Sequence, residues 1–200
     1  MRLIRGLIMF IGVIGIVVII ALITGYYLYS LSPRIEERII PVAVSADDAQ
    51  NFDKKLDSLE TQVKETSETG GEKEVSLVIT EKEVNSKLVQ LLAEGELPLK
   101  KILINFGDGY FLVSALMDAP GVDAKTGAIG RIEVSKGRPK VVLAEFNLGK
   151  LPLPKSVKMR VEQLLNIMVN LQVADFPMEI SDVQIKNHQL TVTGTTKVVK

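Results

Sequence analysis

The sequence contains few side chains that could carry out catalysis. Its 200 residues include one histidine and no cysteine, which excludes thiol nucleophiles, thiolate zinc sites and multi-histidine metal centres. The histidine, His188, follows Asn187 in a predicted hairpin turn, where side chains are usually exposed. The chain has no Gly-x-Ser-x-Gly elbow, phosphate-binding loop or Gly-x-Gly-x-x-Gly fingerprint. We therefore expect no catalytic residues, no metal site, no cofactor and no enzymatic activity.

Acidic side chains do not form a recognisable site either. Asp118 and Asp123 bracket Pro120-Gly121, but this segment has too few acids for a calcium loop, so a polar turn is the better interpretation. No pair of carboxylates lies within an apolar run, where desolvation would favour general acid chemistry.

The strongest charge feature is a basic stretch in the C-terminal half. From Lys125 to Arg160 the chain carries nine lysines and arginines against two acids, although the whole protein has 24 basic and 24 acidic residues. Such a stretch fits solvated turns, and it also fits an anionic partner such as lipid headgroups or an envelope polymer. A single aromatic residue, Phe146, lies among these charges to stack on bases, which disfavours nucleic acid. The candidate headgroup-binding residues are Lys155, Lys158 and Arg160.

The N-terminus has the pattern of a membrane anchor. From Gly6 to Tyr29 the chain has 24 consecutive uncharged residues, long enough to cross a bilayer as a helix. Arg2 and Arg5 precede this run, and three tyrosines lie near its end. Positive charge marks the cytoplasmic side of a membrane helix, and aromatic belts mark its interfaces. We therefore predict a single transmembrane anchor over residues 1–30, a cytoplasmic N-terminus and an extracytoplasmic C-terminal domain. The apolar run is longer than that of a cleaved signal peptide.

A polar segment, residues 31–71, separates the anchor from the domain and is predicted to be a stalk. Ser45 can cap a helix that carries one apolar stripe, Phe52, Leu56, Leu59 and Val63. The residues from Thr66 to Gly71 are predicted to form a flexible break that ends the stalk.

Residues 72–200 are predicted to fold as an α+β domain. A capping box, Thr80 to Glu83, starts a helix directly after the strand Val75–Ile79. A second helix, Pro154–Leu171, is apolar around much of its circumference and needs cover on more than one side. Three hairpins supply antiparallel strands: Ile102–Phe106 with Tyr110–Met117, Ala128–Ser135 with Pro139–Asn147, and Met178–Lys186 with Gln189–Val198. We expect a curved antiparallel sheet wrapped around the second helix.

Several short segments resemble a family of small extracytoplasmic proteins. They are Leu-Val-Ile-Thr-Glu-Lys-Glu-Val-Asn-Ser-Lys-Leu from Leu77 to Leu88, Phe106-Gly107-Asp108-Gly109, Ala119-Pro120-Gly121 and Leu148-Gly149-Lys150-Leu151-Pro152-Leu153-Pro154. From Val75 to Lys200 the chain resembles the YpmS-like proteins and their relatives, including LmeA-like proteins, which are similar to the tubular lipid-binding (TULIP) fold. The resemblance implies a highly curved sheet around a long helix, with an interior that holds acyl chains. It supplies no catalytic residues.

Two functions fit these features. The first is a membrane-anchored lipid- or amphiphile-binding domain that works in envelope maintenance or lipid handling, with an apolar groove between the second helix and the hairpins. The candidate lining residues of that groove are Phe106, Phe111, Val142, Phe146, Leu164 and Met168. The second is a non-catalytic scaffolding module that offers a sheet edge, or the Phe52–Val63 stripe, to another envelope protein. An LptC-like bridge that passes lipid along a curled sheet is intermediate between them.

Overall fold

A computed structural model describes residues 19–69, 71–97, 99–119, 122–151, 153–174 and 178–196 of the chain. Residues 19–30 are helical and are named α1. The first eighteen residues of the predicted anchor lie outside the described ranges. Among the residues that the structure does describe, no helix combines the length and the apolarity needed to span a membrane.

The elements after α1 are helices and antiparallel strands. The helices are a 3₁₀ helix η1 (Arg34–Arg38), α2 (Ala46–Glu68), α3 (Glu81–Ala93) and α4 (Lys155–Ala174). The strands are β1 (Glu74–Thr80), β2 (Leu99–Phe106), β3 (Phe111–Ala119), β4 (Val122–Ser135), β5 (Arg138–Leu148), β6 (Met178–Lys186) and β7 (Gln189–Thr196). The predicted α+β class and antiparallel pairing are confirmed.

Within the described ranges the strands form two sheets rather than the single curved sheet predicted. One has the order β1-β7-β6 and the other the order β2-β3-β4-β5. Strand β1, which α3 separates from β2 in the chain, pairs with the last strand, with Glu74 opposite Thr195. Backbone bonds from two hairpin turns connect the four-stranded sheet to β6: Gly109 N–H to the Ile185 carbonyl at 2.8 Å, and Ile180 N–H to the Gly137 carbonyl at 3.0 Å.

Helix starts and tight turns lie where the local sequence predicted them. The Thr80 hydroxyl accepts a hydrogen bond from the Glu83 amide at 3.2 Å, and the Glu83 carboxylate accepts one from the Thr80 amide at 2.8 Å. The turns at Lys136-Gly137 and Asn187-His188 have positive φ at both residues, the backbone of a two-residue hairpin turn. Helix α2 extends to Glu68, into the break predicted from residue 66.

Parts of the predicted stalk pack against both sheets. Ile35 in η1 is 1% exposed and lies against Leu112 and Ile129. Gly127 makes room for it, because a Cβ added at Gly127 would lie 3.0 Å from the Ile35 Cβ. In α2 the last two residues of the predicted stripe, Leu59 and Val63, are buried in a second cluster with Val75 of β1. These segments therefore form part of the folded core.

The end of α1 is also attached to the four-stranded sheet. The amide of Lys150 donates to the Leu28 carbonyl at 2.7 Å. Gly149 lies so close to this helix end that an added Cβ would be 2.3 Å from the Tyr29 carbonyl oxygen. The ammonium group of Lys125 donates to the Ser32 hydroxyl at 2.7 Å. The loop between β5 and α4 therefore begins where α1 ends.

We predict that Ile35→Ala lowers the free energy of unfolding by about 3 kcal/mol, because it removes a fully buried side chain and leaves a cavity. The measurement is the unfolding of the full-length chain in mild detergent by calorimetry. Ile40→Ala is the matched control, because Ile40 is 64% exposed and its truncation should change stability by less than about 0.5 kcal/mol. If both substitutions change the free energy of unfolding by equal, small amounts, the packing of Ile35 against the sheet is contradicted.

Candidate ligand-binding face

Among the paired strand positions whose side chains the structure describes, one face of the four-stranded sheet carries no charged residue. The register places Phe106 opposite Phe111, and Phe111 opposite Gly130. A Cβ at Gly130 would lie 2.5 Å from the tip of the Phe111 ring, so this glycine leaves room for the ring. Phe146 lies opposite Ala128 on the same face. We call this surface, which carries Phe106, Phe111 and Phe146, the phenylalanine face.

Charged residues of the paired strand positions lie on the opposite face. They are Lys101, Asp123, Lys125, Arg131, Glu133, Arg138, Lys140 and Glu145. This separation follows from the period of two in a β-strand, in which successive side chains point to opposite faces. The charged side chains of the sheet therefore lie on one face, which also carries Leu112 and Ile129, the residues that pack against Ile35.

A β-bulge in β5 separates two of the predicted groove residues. Gly130 lies opposite Leu143 and Ile129 lies opposite Glu145, so Ala144 is an extra residue in β5. One extra residue reverses the alternation of faces along a strand. Val142 and Phe146 would share a face in a regular strand, but here they lie on opposite faces. Val142 therefore lies outside the phenylalanine face.

Many apolar side chains of the phenylalanine face are only half-buried. These are Ile102, Ile104, Phe111, Val113, Ile132, Val134 and Phe146. Phe106 is 6% exposed and belongs to the core. An apolar surface that keeps partial contact with water can bury further area when an apolar ligand covers it.

Helix α3 closes the β2 edge of this sheet. The side-chain amide of Asn85 donates to the Ile104 carbonyl at 2.7 Å, and its oxygen accepts from the Ile104 amide at 2.8 Å. One turn earlier, the Glu81 carboxylate accepts from the Phe106 amide at 2.6 Å. These side chains provide the hydrogen bonds that a further strand would otherwise make.

Helix α4 closes the β5 edge in the same way. Asn166 accepts from the Val141 amide at 2.7 Å and donates to the Val141 carbonyl at 2.8 Å. For Leu143, Glu162 accepts from the amide at 3.0 Å and Lys158 donates to the carbonyl at 2.8 Å. Lys158, Glu162 and Asn166 follow one another at intervals of four and form one stripe of the helix.

The apolar stripe of α4 lies beside this polar stripe and is partly open to solvent. Val161 and Leu165 are half-buried, whereas Leu164 is 61% exposed. The side chain of Met168, the last predicted lining residue, lies outside the described part of the structure. Of the six predicted residues, the structure places Phe106, Phe111 and Phe146 together and puts Val142 on the opposite face.

The three predicted headgroup residues differ in availability. Lys155 and Arg160 are exposed. Lys158 is half-buried, and its ammonium group is bound to the Leu143 carbonyl. Its structural role at the β5 edge was not predicted from the sequence.

Two surface grooves elsewhere have sizes suited to small ligands. One, of about 500 Å³, lies between α2 and β1, and its lining includes Lys54, Ser58 and Ser76. The other, of about 380 Å³, lies between the start of α2 and α3, and its lining includes Val44 and Val89. None of the six predicted groove residues lines either one.

Glu83 joins the start of α3 to α2 and β1. The Lys55 ammonium group lies 2.8 Å from the Glu83 carboxylate and also donates to the Val78 carbonyl at 2.9 Å. Burial acts to raise the pKa of Glu83, but hydrogen bonds from Lys55 and Thr80, together with the charge of Lys55, outweigh it and lower the pKa below its usual value. The carboxylate is therefore held in its ionised form.

His188 lies in the exposed turn predicted for it. Its side chain is 71% exposed, and its Nδ1 lies 3.3 Å from the Glu81 carboxylate. Glu81 is already bonded to the β2 backbone. Within the described ranges no cluster of three or more histidines or acids is arranged to hold a metal ion.

The sequence analysis does not predict that polar side chains of α3 and α4 bind the backbone at the edges of the sheet. A signal for them is present, because Glu162 and Asn166 lie four residues apart in a largely apolar helix, and Glu81 and Asn85 repeat this spacing in α3. Polar groups in such positions need hydrogen-bond partners when they are buried. The spacing alone does not indicate that the partner is a strand backbone.

A scan against models of protein families and a search of curated proteins each found no match for this chain. The resemblance to YpmS-like and LmeA-like proteins therefore stays a prediction from the sequence motifs.

We predict that Asn166→Ala destabilises the protein by about 2 kcal/mol, because it leaves the amide and carbonyl of Val141 without their partner at a buried position. Calorimetric unfolding of the full-length chain measures the effect. Gln163→Ala on the exposed side of α4 is the control and should be nearly neutral. If Asn166→Ala lowers the free energy of unfolding no more than Gln163→Ala does, then Asn166 does not stabilise the edge of β5.

We predict that Glu83→Gln lowers stability by about 1 kcal/mol at pH 7, since it removes a charged member of a capping box. The folded-state pKa of Glu83 is lowered, so its contribution is complete above the unfolded pKa of about 4.3 and is lost as pH falls through the folded value. The difference in unfolding temperature between wild type and variant should therefore shrink below about pH 4. Glu96→Gln, at an exposed position, is the control. A difference that stays constant down to pH 2 would contradict this account.

Proposed function

We propose that this protein is a membrane-anchored, extracytoplasmic lipid- or amphiphile-binding protein that acts in envelope maintenance or lipid handling. The observation that carries the proposal is the phenylalanine face, an uncharged sheet surface on which Phe111 and Phe146 are only half-buried. We further propose that this sheet and α4 together represent a TULIP-like arrangement, as the sequence motifs imply.

The chemistry of the face suits an acyl chain. Its described side chains include aromatic rings and branched aliphatic groups, and none of those at paired positions is charged. Burial of each methylene group of a ligand against such a surface contributes about 0.8 kcal/mol. A chain of ordinary fatty-acid length therefore supplies enough binding energy without a specific polar contact.

The rest of the chain supports a bilayer as the source of the ligand. The uncharged run from Gly6 to Tyr29, preceded by Arg2 and Arg5, is typical of a membrane anchor. An anchored domain meets membrane lipid at high effective concentration. Lys155 and Arg160 are exposed near the start of α4 and could pair with an anionic headgroup.

We predict that the full-length protein, reconstituted in vesicles that contain a phosphatidylglycerol with a diazirine on its acyl chain, is photolabelled on β3 and β5 as well as on the anchor. Phe146→Arg should lower labelling of these strands at least about fivefold, because a buried charge is costly in an apolar contact. Peptide mass spectrometry locates and quantifies the label.

Glu145→Arg is the matched control, since it places the same side chain one residue away on the opposite face. Phe146→Leu keeps the site apolar and should keep the labelling, which separates loss of binding from loss of fold. If the wild-type protein is labelled only on the anchor, the proposed binding of lipid to the phenylalanine face is wrong. The proposed membrane anchor would still be supported.

The β1 edge favours scaffolding as a second candidate function. Its outer side borders the groove of about 500 Å³ along α2, and within the described ranges Lys55 binds only one backbone group on this side, the Val78 carbonyl. An extended segment of an envelope protein could add to such an edge. The Phe52–Val63 stripe is less suited to this role, because Leu59 and Val63 are buried. A photoreactive residue at Ser76 that crosslinks an envelope protein in cells, without lipid labelling of β3 and β5, would favour scaffolding.

A further inference from the structure

The outward side of α4 carries exposed bulky apolar residues. Met159 is 54% exposed, Leu164 61% and Ile167 56%. Leu164 and Ile167 lie on the side of the helix away from the stripe of Lys158, Glu162 and Asn166 that is bonded to the β5 edge, and Met159 lies at the border of that stripe. Exposed apolar side chains that cluster on one helix often mark an interaction surface.

The start of α4 lies close to the end of the proposed anchor. Lys150 bonds the Leu28 carbonyl, and α4 begins only five residues later at Lys155. On α1, Tyr26 and Tyr27 are exposed by 62% and 61%, as befits residues at a membrane interface. An anchored chain therefore holds the first turns of α4 near the lipid headgroups.

The charges around this side of α4 are basic. Lys150, Lys155 and Arg160 are exposed. The acid within residues 150–167 is Glu162, whose carboxylate accepts a hydrogen bond from the Leu143 amide. An amphipathic helix with apolar residues and lysine or arginine binds anionic bilayer surfaces.

We propose that α4 lies against the surface of the bilayer in which the protein is anchored, with Leu164 and Ile167 among the acyl chains and with Lys155 and Arg160 at anionic headgroups. The inference rests on the proposed membrane anchor. It does not depend on ligand binding to the phenylalanine face. The bilayer would then hold the domain in one orientation, with α4 as its second point of contact.

The chain contains no tryptophan, so single tryptophan reporters can test this contact in the full-length protein. The reporters are Leu164→Trp on α4, Leu22→Trp on α1 and Val89→Trp on α3. Val89 is the matched control, an exposed apolar helix residue at the opposite edge of the four-stranded sheet from α4. The vesicles contain phosphatidylcholine, phosphatidylglycerol and brominated phosphatidylcholine, which quenches tryptophan within the bilayer.

Quenching of about half the fluorescence is expected at position 164, because interfacial helices bury their apolar side roughly 5–10 Å deep. Quenching should be strongest at position 22 and negligible at position 89. If the tryptophan at position 22 is quenched but the one at position 164 is quenched no more than the one at position 89, the proposed contact of α4 with the bilayer is wrong. The membrane anchor would still be supported. An unquenched position 22 would overturn the anchor and the inference with it.

A second arm tests the charge argument. Lys155→Gln together with Arg160→Gln should reduce quenching at position 164 at least about twofold on vesicles with phosphatidylglycerol, and less on vesicles of phosphatidylcholine alone. Circular dichroism of each variant checks that the fold is retained. Equal quenching with and without the two charges would overturn the role assigned to Lys155 and Arg160.

Discussion

The backbone groups at the edges of the four-stranded sheet need hydrogen-bond partners, and the arrangement of the helices follows from this need. Side chains of α3 satisfy Ile104 on β2, and side chains of α4 satisfy Val141 and Leu143 on β5. In both helices an asparagine binds the amide and the carbonyl of one strand residue at once. A primary amide offers the same donor and acceptor as a peptide group, so it can replace the next strand. An edge closed in this way is also protected from pairing with another chain.

Because α4 contacts the sheet edge through polar side chains, apolar side chains of α4 and of the sheet stay partly exposed. If α4 packed on the sheet with its apolar stripe, that stripe and the phenylalanine face would cover each other. Instead, α4 is bonded to the strand edge through Lys158, Glu162 and Asn166. Apolar side chains of the sheet are then half-buried, and Leu164 is exposed. Both proposals, the lipid-binding face and the bilayer contact of α4, depend on this division of the helix surface.

Local patterns in the sequence predicted the local structure well. The Thr80 capping box and the turns at Lys136-Gly137 and Asn187-His188 depend on a few adjacent residues, so the sequence contains the necessary information. The bulge at Ala144 could not be predicted, because it depends on how β5 aligns with β4. Phe106, Phe111 and Phe146 lie on one face of the sheet, whereas Val142 lies on the other because the bulge interrupts the alternation along β5. The packing of Ile35 and the pairing of β1 with β7 are contacts between distant segments, which a pattern along the chain does not report.

The pairing of β1 with β7 has a consequence for synthesis. Strands β2 to β5 are contiguous, so their sheet can assemble as soon as they emerge. Strand β1 must wait for the last strand, since Glu74 pairs with Thr195. Pairings between distant segments form slowly, and an unpaired edge is prone to aggregation until they do. A nascent chain that stops short of β7 therefore holds an assembled four-stranded sheet and an unfinished three-stranded one.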